Sequence, residues 1–115
     1  MQLDELGDSG FRVDLEQGAD RTLFRLSGRL GLEAAPAMRS AVLQAAARGC
    51  PVDIDWQAAE YVGAGVIQSL LALAVEQPKP GAGLTVCRDR SEIRDLLELA
   101  GLARYFPVSA ERPSA

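Results

Sequence analysis

The sequence predicts an α/β fold: a single domain whose mixed, mainly parallel sheet is opened by an antiparallel hairpin. Three observations lead there. Apolar and polar residues alternate in two short runs near the N-terminus, the spacing then turns helical, and strand-like and helix-like segments interleave to the end. A length of 115 residues fits one domain with one core.

Phe11-Arg12-Val13-Asp14-Leu15 alternates as a strand with one buried face. Gln17-Gly18-Ala19-Asp20 is a turn, and Thr22 to Leu26 alternates again through Phe24 and Leu26. Two such runs around a short glycine-containing connection predict a β-hairpin. Gly28 and Gly31 close its second strand. From Glu33 to Arg48, Ala35, Met38, Val42 and Ala45 recur at helical spacing, with Arg39 and Arg48 off the stripe. Pro36 suits a first helical turn, where its missing N–H would be unpaired anyway, and Gly49 suits the residue past the helix end.

Val52-Asp53-Ile54-Asp55-Trp56 alternates as the next strand. Tyr61-Val62 leads into Gly63-Ala64-Gly65, and a nearly all-apolar helix follows from Val66 to Gln77. Pro78-Lys79-Pro80-Gly81 cannot continue that helix and forms a loop. Leu84 to Cys87 is a short strand. Asp89 with Glu92 three residues on matches a capping box, with Ser91 as the alternative cap. Ile93, Leu96, Leu97 and Ala100 form the core stripe of the last helix, and Gly101-Leu102 resembles a Schellman stop. Phe106-Pro107-Val108 is a candidate final edge strand, which closes a domain spanning 1–108 before a loose tail at 109–115. The order is ββαβαβα, and helices between strands imply parallel pairing through right-handed crossovers.

Sixteen acids against twelve bases give a net charge of -4, the wrong balance for a non-specific nucleic-acid binder. No segment approaches the ~18 unbroken apolar residues of a membrane span, and the N-terminus begins acidic with Asp4, Glu5 and Asp8. The expected compartment is the cytoplasm, with Cys50 and Cys87 reduced and acting as packing residues.

Little here supports catalysis. The chain has no histidine, which removes the commonest general base, any Ser-His or Cys-His pair and most metal sites. Two cysteines fall short of the about four ligands a structural zinc needs. Asp53 and Asp55, two apart on a strand, point to one face, opposite Val52, Ile54 and Trp56. As a catalytic pair they compete with a plainer role, Asp53 on an exposed face and Asp55 ordering the following loop. Gly63-Ala64-Gly65 resembles the start of a dinucleotide-binding G-x-G-x-x-G. Gln68 stands at the third glycine, so the close helix–strand packing of that motif is not provided.

The helix after this turn divides by angle. Ile67, Leu70, Leu71 and Ala74 face the core, while Gln68, Ser69, Ala72 and Glu76 cluster opposite, bordered by Val66 and Leu73. That outer strip is short-chained and thinly charged. It is either covered within the domain or meets another protein.

Together the segments resemble the STAS family, the sulfate-transporter and anti-sigma-factor-antagonist domain, from about Phe11 to Phe106. The resemblance is carried by Leu26-Ser27-Gly28-Arg29-Leu30, Val52-Asp53-Ile54-Asp55, Glu60-Tyr61-Val62 and Leu96-Leu97-Glu98-Leu99-Ala100-Gly101-Leu102, in that order and spacing. In the family the second helix opens on a motif of the form Asp-Ser-Ser/Thr-Gly-Leu, whose first Ser or Thr is the regulatory phosphorylation site. Aligned without gaps it falls on Gly63-Ala64-Gly65-Val66-Ile67, so Ala64 occupies the phosphoacceptor position. Alanine has no hydroxyl, and the family's charge switch cannot operate there.

The resemblance implies a non-catalytic regulatory module that binds a partner through Gly63, Ala64, Gly65, Val66, Gln68, Ser69, Ala72, Leu73 and Glu76, without cofactor or metal. The partners it implies are an anti-sigma kinase, a chemotaxis-type regulator, or the ATPase of a lipid-transport ABC system. A small-ligand or nucleotide sensor using the Gly63–Gly65 turn is the alternative.

Overall fold

The alternating N-terminal run forms β1 (Phe11–Gln17), paired with β2 (Thr22–Leu30). A 3-10 turn at Leu32–Ala34 leads into α1 (Ala35–Arg48), followed by β3 (Val52–Val62) and α2 (Ala64–Glu76). Then come β4 (Leu84–Arg88), α3 (Ser91–Leu99) and a 3-10 turn at Ala103–Tyr105. This computed structural model describes residues 10–76 and 84–108. The expected loop at Pro78–Gly81, the helix end at Gln77 and the tail at 109–115 lie outside the described residues.

The sheet runs β1-β2-β3-β4, with the hairpin antiparallel and both later pairs parallel, as the sequence predicts. Burial follows one face. Phe24 and Leu26 on β2, Ile54 and Trp56 on β3 and Val86 on β4 are fully buried, while their alternating neighbours are half-buried or exposed.

β3 is twice as long as its alternation suggests, because two one-residue bulges hide the period. Arg25 and Ser27 pair with Asp55 and Ala58, and Gly28 and Arg29 pair with Ala59 and Tyr61. Each step puts an extra residue on β3, so inward positions move from Trp56 to Ala59 and then Val62. Gly28 does not end β2 but lies inside it, at φ +80, where any Cβ would run into the Gly10 carbonyl oxygen.

α1 buries Met38, Ala41, Val42 and Ala45, carries Pro36 in its first turn and ends at Gly49 in the left-handed conformation. α3 departs from its expected stripe. Ile93 and Leu97 are buried, but Leu96 is 51% exposed and Ala100 is exposed. Leu102 and Phe106 supply apolar contact there instead, on the segment that folds back after Gly101. The Schellman stop is present: Leu102 N–H donates to Leu97 O and Gly101 N–H to Glu98 O. The expected final strand reduces to one bridge between Val108 and Val86, with Val86 N–H donating to Pro107 O.

Asp89 does not cap α3. Its carboxylate accepts from the Trp56 indole N–H at 2.7 Å and from Arg94 Nε at 2.9 Å. Arg94 also donates to Phe106 O at 2.9 Å, and the Phe106 ring sits 5.7 Å from that of Trp56. One carboxylate thus joins β3, α3 and the C-terminal turn.

α2 is rotated from the expected facing. Val66, Ile67, Leu70 and Leu73 are buried, whereas Leu71 and Ala74 are half-buried against the core. The cause is a pinned start. Gly63 N–H donates to Leu30 O at 2.8 Å, which fixes where α2 begins relative to the end of β2.

On the sheet's other face Asp53 accepts two bonds from the Arg21 guanidinium, at 2.9 and 2.8 Å, and one from Thr85 Oγ1 at 2.8 Å. Burial pushes the Asp53 carboxyl up, but Arg21 and Thr85 outweigh it and hold it below the usual carboxylate range. Two outcomes are expected. Leu70→Ala lowers stability by about 2–5 kcal/mol in chemical denaturation, and Leu71→Ala clearly less, because only Leu70 is enclosed. A depressed carboxylate stabilises the fold above its unfolded value and loses that contribution as pH falls through its folded value. Asp53→Asn therefore lowers the urea midpoint by a constant amount above about pH 5, and the gap to wild type narrows as pH falls through the depressed folded value of the Asp53 carboxyl.

Candidate partner-docking site

Gly63 supplies the first carbonyl of α2, accepting from Ile67 N–H at 3.1 Å, while its own N–H is taken by Leu30 O. Ala64 is the first helical residue and is exposed. From it a line of Ala64, Gly65, Gln68, Ala72 and Val75 runs along the outside of α2 without a charge. A solvated helix face ordinarily carries charged residues.

Beside this line α1 and α2 enclose a groove of about 380 Å³. Gly65, Gln68, Ser69, Ala72 and Leu73 line it from α2. Ala35, Arg39, Val42, Leu43 and Ala46 line it from α1. Small side chains at Ala35, Gly65, Ala46 and Ala72 leave the space open. Ser69 is turned along its own helix, its hydroxyl donating to Gly65 O at 3.1 Å. Arg39 is the groove's only charged lining residue and makes no salt bridge among the described residues.

The structure divides the nine residues singled out from sequence. Ala64, Gln68 and Ala72 are exposed, and Gly65 and Ser69 join the last two along the groove. Gly63 and Val66 are buried, so neither borders the outer surface. Leu73, also expected at that border, is 1% exposed and forms the groove's floor. Glu76 ends α2, and its side chain lies outside the described residues.

Sequence reasoning missed the contribution of α1. Leu43 is 66% exposed at the groove although it stands off the core stripe, and that stray leucine was the available signal. It also missed the rim around the turn. Tyr61 lies close over Gly63 and Gly31, Arg29 stacks 5.5 Å from its ring centre, and Leu32 is 87% exposed.

The other candidates lie elsewhere. Asp53 and Asp55 share the sheet's open face, but Asp53 is held by Arg21 and Thr85, and Asp55 lies 3.8 Å from both Arg25 and Arg88. Asp55 also accepts from Gln57 N–H at 3.3 Å, inside β3 rather than in a loop. Cys87 Sγ reaches Ile54 O at 3.5 Å, and burial together with Asp53 and Asp55 pushes its thiol up. Cys50 lies 3.5 Å from Thr22 Oγ1, and hydrogen bonds from Thr22 and Arg48 draw it down. No cluster of three potential metal ligands and no helix long and apolar enough to cross a membrane occurs among the described residues.

A family model described as "Mlab, STAS domain" matches residues 13–108. Among curated proteins nothing matches. An anti-sigma factor antagonist from Mycobacterium paratuberculosis superposes with a TM-score of 0.73 at 25% identity, over 90% of this chain and 86% of that one. The Bacillus cell fate determinant SpoIIAA, in its phosphorylated form, gives 0.63 at 17% identity over 87% and 93%. The unphosphorylated form of the anti-sigma factor antagonist SpoIIAA gives 0.63 at 16% identity over 87% and 88%. The SpoIIAA pair bears on the fold alone. With its family model spanning β1 to the Val108 bridge, the chain belongs to the STAS domain family.

Proposed function

We propose that this chain is a non-catalytic docking module that binds a regulatory protein through the outer line of α2 and the α1–α2 groove. The observation that carries this is the uncharged strip Ala64, Gly65, Gln68, Ala72 and Val75 beside an open groove. Exposed weakly charged strips with apolar walls are contact surfaces more often than solvated ones. Likeness to an anti-sigma factor antagonist makes an anti-sigma kinase the first partner to test, ahead of a chemotaxis-type regulator or a lipid-transport ABC ATPase. Because Ala64 carries no hydroxyl, docking here is not switched by phosphorylation at that position. The ligand-sensing alternative draws less support, since Gly63 N–H is already bonded within the fold.

Affinity capture with mass spectrometry tests the reading. Wild type retains one dominant partner. Ala64→Asp, which adds a negative charge at the start of α2, and Ala72→Arg, which fills the groove, each reduce capture at least about tenfold, the loss expected when a central contact is removed. Both keep the wild-type melting temperature, because both sites are exposed. Undiminished capture by both variants places the docking surface elsewhere.

A further inference from the structure

The two edges of the sheet are treated differently. On β4 the outer edge is occupied, with Val86 N–H bonded to Pro107 O and Val108 bridged beside it. On β1 nothing pairs with the outer edge among the described residues. The hairpin's hydrogen bonds fix which groups face out. Arg29 N–H donates to Gly10 O and Gly18 N–H to Arg21 O, so even-numbered residues from Gly10 to Gly18 bond toward β2. Phe11, Val13, Leu15 and Gln17 therefore direct their N–H and C=O groups outward. Phe11, Val13 and Leu15 are also only half-buried, unlike the fully buried inward residues of the neighbouring strands.

From this we infer that β1 is a self-association edge, whose occupant is β1 of a second copy in antiparallel register about Val13. In that register Val13 faces Val13 of the other copy and Phe11 faces Leu15, all with outward hydrogen-bonding groups. Arg12 then stands opposite Asp14 twice, at non-hydrogen-bonded positions where side chains approach closest. A shift of two residues one way sets Arg12 against Arg12, and the other way sets Asp14 against Asp14. Neighbouring hydrogen-bonding registers are thus penalised by like charges. Arg12 and Asp14 are well exposed, with side chains 73% and 42% accessible and 3.3 Å apart within one chain, so both are placed to exchange partners. The result is one continuous sheet through two copies, leaving both α1–α2 grooves free. Association is weak and concentration-dependent, as befits an interface below about 1,200 Å².

Sedimentation equilibrium from micromolar to millimolar concentration is the test. Wild type shows a monomer–dimer equilibrium. Arg12→Asp and Asp14→Arg each raise the dimer Kd about tenfold or more, since each sets like charges opposite. Mixing the two single variants restores association as a mixed dimer, and the double reversal restores it alone. In hydrogen exchange on wild type, the amides of Phe11, Val13 and Leu15 slow with rising concentration, while those of Asp14 and Glu16, already bonded to β2, do not. A chain that stays monomeric at millimolar concentration overturns the proposal. So does a dimer indifferent to both reversals.

Discussion

Each strand after the hairpin is laid beside its predecessor in chain order, and right-handed crossovers then carry every helix over the same face of the sheet. Most of the molecule's character comes from that constraint. Parallel strands usually have both faces covered, yet among the described residues β2, β3 and β4 have one face without helices. The bare face is stabilised electrostatically instead, with Asp53 clamped by Arg21 and Thr85 and Asp55 set between Arg25 and Arg88. Carboxylates that look like a catalytic pair in sequence therefore hold strands together. The same constraint seats α1 and α2 side by side, and the groove between them exists because they share a face.

The side of the sheet near β4 depends on a different kind of contact. Trp56, Phe24 and Phe106 are the largest fully buried side chains, and Trp56 alone of these carries a polar N–H that needs a partner. Asp89 provides it and is itself balanced by Arg94, so the charge is not left uncompensated at the core's margin. Arg94 in turn satisfies the Phe106 carbonyl, which fixes the C-terminal turn against β4 and closes that edge. Among the described residues no equivalent contact covers the outer edge of β1.

Much of this was legible in the residues. The hairpin, the order of elements and the glycine stop after α3 follow from alternation, helical spacing and the Gly101-Leu102 pair. What was not legible depends on long-range geometry. The bulges in β3 break its period, so alternation stops at Trp56 although the strand continues to Val62. An almost wholly apolar helix gives only a weak angular signal. The start of α2 is tied at Gly63 to the Leu30 carbonyl, a contact its own pattern does not reveal. Asp89 fits a capping box from Asp89 to Glu92, but a buried indole thirty-three positions earlier competes for it and wins.

The turn that opens α2 departs from the motif that the family resemblance implies at more than one side chain. The family motif has an acid where this chain has Gly63, and a Cβ there would stand 3.3 Å from Leu30 O and 3.6 Å from the Tyr61 ring. A carboxylate-bearing residue fits only if the Leu30–Gly31 backbone gives way. At Gly65, by contrast, a Cβ would meet that of Ala35 at 3.6 Å, an ordinary van der Waals contact. The turn is therefore tight before Ala64, at Gly63, and not after it. Restoring a hydroxyl at Ala64 alone would supply an acceptor on an exposed helix start, but not the acidic neighbour of the family motif. Ala64 and Gly65 instead make an uncharged, exposed start to α2, and Gly65 leads that surface into the groove.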